Sequence, residues 1–227
     1  MIRNTLFKKL LLSFFVVVMI GTLVHESGHY YASRYLGYNA RITYRSSPYT
    51  LKGEFKQLFD TIYRIKNPGK KEVDKIDVAL RRYKKDQIII SSAGPITNML
   101  IGMTGFVMLL LSTKLVKLYQ LRWIFVFMTL FWSRQILNFI VFAAEWVFTP
   151  QKLLQSRGDE LYVSLLLNLP YYTLNVLTFI LALPFVCIAI FRFVKKDELI
   201  TFFAAGIIGG GIGVLAWFFW IGPWLLP

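Results

Sequence analysis

The chain has 227 residues, of which 56% are hydrophobic, 17% aromatic and 17% charged. Its 26 Lys and Arg stand against 12 Asp and Glu, a formal net charge of +14. Soluble domains average about 45–50% apolar and about 25% charged residues, so this balance points to an integral membrane protein and excludes a disordered chain. A lone Cys187 excludes an intrachain disulfide framework.

Arg3, Lys8 and Lys9 precede an apolar run, Leu10 to Ile20, as in a signal peptide. No small-x-small cleavage site follows, and the helical pattern continues into Val24-His25-Glu26, so the segment is read as a retained first span, from about Leu10 to Leu36. Four later stretches also reach the about 20 apolar residues that a membrane helix needs. They are Ile88–Leu111, Leu121–Phe148, Thr173–Phe193 and Ile200 to about Ile221. The expected fold class is an all-α polytopic membrane protein. It has about five transmembrane helices and forms a single membrane-embedded domain over 1–227.

Between the first and second spans lies a basic insert, 37–87, in which residues 37–86 carry 13 Lys and Arg and 6 Asp and Glu. Ala40 to Arg45 alternates apolar and polar, Ser46-Ser47-Pro48 is a turn signal, and Tyr49-Thr50-Leu51 begins a second strand. Together they predict a short β-hairpin. Lys71 to Asp86 places Val73, Ile76, Leu80 and Tyr83 on one face, the pattern of a basic amphipathic helix lying on an anionic membrane surface. No nucleic-acid-binding motif accompanies the charge, so the partner expected is the lipid bilayer and not nucleic acid. The positive-inside rule places the insert on the cytoplasmic side and the N-terminus on the other, and the expected location is the cell membrane. The glycines at 206, 209, 210, 211 and 213 lie in the last span. They form the small-xxx-small pairs Gly206/Gly210 and Gly209/Gly213, which predict close helix packing.

Both histidines of the chain fall in His25-Glu26-Ser27-Gly28-His29. Residues four apart share a helix face, so two imidazoles can hold one Zn2+, one per chain. Glu26 between them is placed to take a proton from the attacking water and pass it to the leaving amine. A catalytic zinc takes three protein ligands and keeps one open position. With no histidine left, the third is an acid. Cys187 lies in an apolar span and reads as packing, and Asp197 and Glu198 sit in a basic turn read as solvated. Glu145, Asp159 and Glu160 remain. Arg134, Asn138 and Glu145 share one face of the third span and are expected to line a water-accessible cavity. Pro95 lacks an N–H and restricts Gly94, so the second span should be distorted there, with Asn98 either orienting substrate or steadying an oxyanion, or bonding a neighbouring helix.

A span ending in His25-Glu26-Ser27-Gly28-His29-Tyr30, followed by Ala93-Gly94-Pro95-Ile96-Thr97-Asn98, resembles the site-2 protease family of intramembrane zinc metalloproteases over about residues 10–165. The resemblance implies an endopeptidase that cuts a membrane protein substrate in or near its transmembrane segment. It implies zinc held by His25, His29 and an aspartate, with Glu26 as the catalytic base. The family's downstream Leu-Asp-Gly is missing, as is the Asn-x-x-Pro upstream of it. By position and type the aspartate is Asp159, in Gly158-Asp159-Glu160, with Glu145 and Glu160 as alternatives. The missing motif also leaves an inactive pseudoprotease or partner-binding scaffold as the rival reading. A transporter is the third, weaker because no inverted repeat is visible. A hairpin edge at 40–54 could pair with an extended substrate strand.

Overall fold

The computed structural model describes residues 4–64, 70–111, 118–148 and 158–227. The described residues are helical almost throughout. In chain order they form α1 (Asn4–Tyr35), strands β1 (Asn39–Ala40) and β2 (Tyr49–Thr50), α2 (Gly53–Arg64), α3 (Lys70–Leu111), α4 (Tyr119–Thr129) and α5 (Ser133–Phe148). Then come α6 (Asp159–Leu166), α7 (Thr173–Phe193), α8 (Leu199–Ala216) and α9 (Gly222–Leu225). Five helical segments are long and apolar enough to cross a membrane: Asn4–Tyr35, Val73–Leu111, Tyr119–Phe148, Thr173–Phe193 and Lys196–Leu225. They coincide with the five expected spans, and the small sheet lies between the first and second. The basic loops that set the orientation, 112–122 and 149–172, lie partly outside the described residues.

α1 is the central helix, packed on both α3 and α8. The α8 contact runs backbone to backbone. A Cβ on Gly209 would stand 2.5 Å from the Leu11 carbonyl oxygen, and one on Gly213 would stand 3.1 Å from that of Phe15. Small residues let membrane helices approach in this way. Gly206 also faces α1, whereas Gly210 and Gly211 have no atom within 4 Å of where a Cβ would be. The packing set is therefore Gly206, Gly209 and Gly213, on one face, and the expected Gly206/Gly210 pairing does not form.

Four expectations need correction. The basic amphipathic segment 71–86 is not a separate surface helix. It is the start of α3, whose 42 residues run about 63 Å, about twice the hydrocarbon thickness. No glycine or proline separates Asp86 from Ile88, and Asp86 and Gln87 at the junction are buried and bonded. Tyr38 donates to Asp86 at 2.8 Å, Lys52 pairs with Asp86 at 3.4 Å, and the Tyr49 hydroxyl donates to Gln87. α2, which no sequence signal had marked, covers part of this stretch through Phe55 and Phe59 against Tyr83. Second, α3 passes through Pro95 unbroken. A residue before proline is normally pushed out of the α region by a clash with its Cβ, and Gly94 has none.

Third, the hairpin is shorter than expected. Asn39 pairs with Thr50 and Ala40 with Tyr49, and beyond them only the Arg41-to-Pro48 and Thr43-to-Ser46 bonds continue the ladder. Pro48 offers no N–H to extend it. Fourth, Glu198 is not solvated. It is 2% exposed and accepts from Arg122 at 3.1 Å, joining the end of the fourth loop to α4. Removing one partner of a buried pair leaves the other charge uncompensated, at a cost of about 3–5 kcal/mol. Glu198→Ala is therefore expected to lower the thermal midpoint in detergent by at least about 6 °C. An unchanged midpoint would show that the pair adds nothing to the fold.

Candidate metal centre

The site forms where α1, α3, α6 and the hairpin meet. His25 and His29 are buried one turn apart on α1, with rings 4.7 Å apart and nearly perpendicular. Gly28, between them in sequence, allows the helix they stand on to touch α3. A Cβ there would lie 2.5 Å from the Ala93 carbonyl oxygen and 2.6 Å from Thr97 Oγ1. Asp159 opens α6 and reaches both imidazoles with one oxygen: Oδ2 is 2.8 Å from His25 Nε2 and 3.3 Å from His29 Nε2. The two Nε2 atoms are 3.1 Å apart. Among the described residues, these three are the His, Cys, Asp and Glu side chains whose ligand atoms gather as a metal would need.

The surroundings orient each ligand. His29 donates its Nδ1–H to the Ile90 carbonyl at 2.7 Å, which leaves a lone pair on Nε2 facing the cluster. His25 Nδ1 lies 3.5 Å from the Asn98 side-chain amide, and the Asn98 Oδ1 is buried without a hydrogen bond. With the amide nitrogen donating to Nδ1, His25 carries its proton on Nε2 and gives it to Asp159. A cation at Nε2 calls for the other tautomer, in which Nδ1–H is donated to an amide oxygen. The orphaned Oδ1 supplies that acceptor once the amide turns over. Asn98 therefore sits behind His25, bonding a neighbouring helix.

The third wall is Gly94. A Cβ there would stand 2.4 Å from His29 Nε2 and 2.8 Å from His25 Nε2. The space at the ligand nitrogens exists because α3 carries no side chain at this position. Two nitrogens and one carboxylate oxygen around a small void are a zinc donor set, so the residues present fit the metal.

Of the acids that sequence reasoning left open, the structure brings Asp159 to the imidazoles and takes the other two elsewhere. Glu160 accepts from Asn138 Nδ2 at 3.2 and 3.3 Å, and Glu145 stands near Tyr171. Burial raises the pKa of both Asp159 and Glu160. For Asp159 the contacts with the imidazoles, His25 first and then His29, outweigh it and hold the carboxyl well below the ordinary range, whereas Glu160 stays above it. Adjacent acids thus sort into an ionised one at the cluster and one pushed toward the neutral form.

Glu26 is 6% exposed. Ser47, from the hairpin, donates to the Glu26 backbone carbonyl at 2.6 Å and lies 3.3 Å from Oε2. The hairpin itself is tied down at Tyr44, whose N–H donates to Leu226 and whose carbonyl accepts from Trp217 Nε1. His25, Glu26, His29 and Asp159 open onto one cavity of about 320 Å³, with Arg45 and Arg134 also on its wall. The polar face of the third span divides accordingly. Arg134 lines this cavity, while Asn138 is used in holding Glu160. Ser47 and the wall role of Gly94 were missed from sequence. The only mark of Ser47 was its turn.

A model of peptidase family M50 matches residues 13–207. The chain belongs to peptidase family M50. This is a family of intramembrane zinc metalloproteases, so the protein is a membrane metalloprotease at the level of family. The match spans the whole site, from the His25 helix through Asp159. No curated protein and no solved structure matches the chain.

Proposed function

We propose that this M50 member is an active zinc endopeptidase of the site-2 type, cleaving a peptide bond in or near the transmembrane segment of a membrane protein substrate. In this reading His25, His29 and Asp159 hold one zinc and Glu26 is the catalytic base. The observation that carries it is the ligand triangle. Its edges of 2.8, 3.1 and 3.3 Å approach the roughly 3.3–3.4 Å between ligands that bonds of about 2.0–2.1 Å to a tetrahedral zinc require. The missing Leu-Asp-Gly therefore does not favour the pseudoprotease reading, because Asp159 reaches the cluster from the start of a helix instead.

When bound, zinc supplies a Lewis acid that brings water toward deprotonation near neutral pH. The chain does the rest. Glu26, its backbone held by Ser47, takes the proton as the water oxygen adds to the scissile carbonyl carbon. It returns that proton to the amide nitrogen as the C–N bond breaks. The free edge of the β1–β2 hairpin offers pairing to a substrate strand that must leave its helix to expose a carbonyl. The basic insert faces the cytoplasm in this reading, by the positive-inside rule.

The test is metal content. The purified wild type should hold about one zinc per chain and cleave a labelled single-span peptide with a Gly–Pro break at mid-span. Asp159→Ala should lose more than about 100-fold in zinc affinity, beyond the 10–100-fold typical of a residue that merely supports a ligand. Stoichiometric zinc in Asp159→Ala would assign the third ligand elsewhere, and a zinc-free wild type would end the reading.

A further inference from the structure

The cavity wall carries two cations that the proposed chemistry has not used, Arg45 and Arg134. Arg134 lies within the candidate span Tyr119–Phe148, early in α5, on the wall of the cavity that also exposes His25, Glu26 and Asp159. Among the described residues it makes no hydrogen bond and no ion pair within 4 Å, although its charge acts on His25, Glu26 and Glu160. A charged arginine in a spanning helix costs at least about 2.5–3.5 kcal/mol, and such residues pair with a partner unless they serve the site they line. The other polar groups of this wall are largely committed. Ser47 donates to Glu26, Tyr49 donates to Gln87, and the exposed Arg45 lies over the Tyr44 ring at 5.1 Å. Asn98, the oxyanion candidate from sequence, stands behind His25.

We infer that the Arg134 guanidinium binds the scissile carbonyl oxygen and stabilises the negative charge that develops on it. The inference rests on the hydrolysis proposed above. As the water oxygen bonds to the carbonyl carbon, the C=O π pair moves onto the carbonyl oxygen while Glu26 takes the water's proton. That oxygen accepts hydrogen bonds from the guanidinium. When the pair returns to re-form C=O, the C–N bond breaks and the Glu26 proton goes to the amine. A fixed cation aimed at charge present only in the transition state lowers the barrier without tightening substrate binding. Its fork of N–H donors can hold one oxygen through two bonds. Arg134 lines the cavity, four residues before Asn138, which holds Glu160.

The experiment compares wild type, Arg134→Gln and Arg134→Lys, each purified with zinc and assayed on the single-span peptide. A phosphinic isostere of the bond cleaved, whose tetrahedral oxyanion mimics the adduct, and a small hydroxamate, which engages the metal alone, serve as ligands. Expected for Arg134→Gln is unchanged zinc content and a kcat lower by about 10²–10³-fold with KM nearly constant. The phosphinic Ki should rise in proportion to the loss in kcat/KM while hydroxamate affinity is kept. Arg134→Lys, which keeps the charge and can be read even if the glutamine variant does not fold, should recover part of both. A wild-type kcat in either variant overturns the inference. So does a loss confined to KM on substrates with an acidic residue beside the bond, the mark of a specificity cation, or a phosphinic Ki that does not follow kcat/KM. A wild type without zinc or cleavage would instead overturn the proposed function on which it rests.

Discussion

Glu26→Gln is expected to hold the same single zinc as the wild type and to lose cleavage by about 10²–10⁴-fold or more, the range that a positioned general base contributes. The two outcomes are separable because Glu26 lies next to the ligands without joining them. It is absent from the three-residue cluster, and its contact is with Ser47, from the hairpin. The glutamine is close in shape, so Ser47 can still donate to the backbone carbonyl and the amide can still take the other contact. What is lost is the ability to carry a proton. Zinc quantified in the same sample used for kinetics checks both halves. Cleavage at the wild-type rate would remove Glu26 from the chemistry, and a loss of zinc with the mutation would make it a structural partner of the ligands.

The second large effect comes from the residue with the least chemistry. In an ordinary water-exposed helix Gly→Ala favours the helix by roughly 0.8–1 kcal/mol. At position 94 the added carbon would stand 2.4 Å from one ligand nitrogen and 2.8 Å from the other, inside any distance real carbons tolerate. It would also restore the clash that a residue before proline normally suffers. Gly94→Ala is therefore expected to abolish zinc binding and activity together, with the five spans still formed by circular dichroism. Gly210→Ala is the control. No atom lies within 4 Å of its would-be Cβ, so zinc and activity should stay at wild-type values and the midpoint should hold or rise. Full zinc occupancy in Gly94→Ala would show that α3 stands further from the ligands than these distances place it.

Much of this was legible before any coordinates. Spans announce themselves because a bilayer demands about 20 apolar residues in a row, and the five expected segments match those found. His25 and His29 were legible because helical periodicity alone puts residues four apart on one face. The proposed third ligand was legible only as one of three acids, with Asp159 favoured by position and type, because Asp159 lies 134 residues from His25. Asp159 and Glu160 are neighbours in sequence with nothing local to separate them. Only the start of α6, aimed at α1, sends Asp159 to the imidazoles and Glu160 to Asn138. The continuity of the insert's helix with the second span was hidden for a related reason. Its amphipathic pattern was real, but the pattern does not say whether the apolar face meets lipid or another helix, and Phe55 and Phe59 of α2 cover Tyr83.

By itself, then, the sequence determined the class of the molecule, the number of its spans, the pair of imidazoles and the acid beside them. Each of these rests on local composition or on helical period, which the chain carries wherever it folds. The tertiary structure decided everything that needs two distant segments to meet. It brought Asp159 to the imidazoles, set Asn98 beside His25, gave Gly94 its place at the imidazole nitrogens and left Arg134 facing the cavity. The closeness of α1 and α3 at the imidazoles is set by the missing side chains of Gly28 and Gly94, whose effect shows only when the helices are packed.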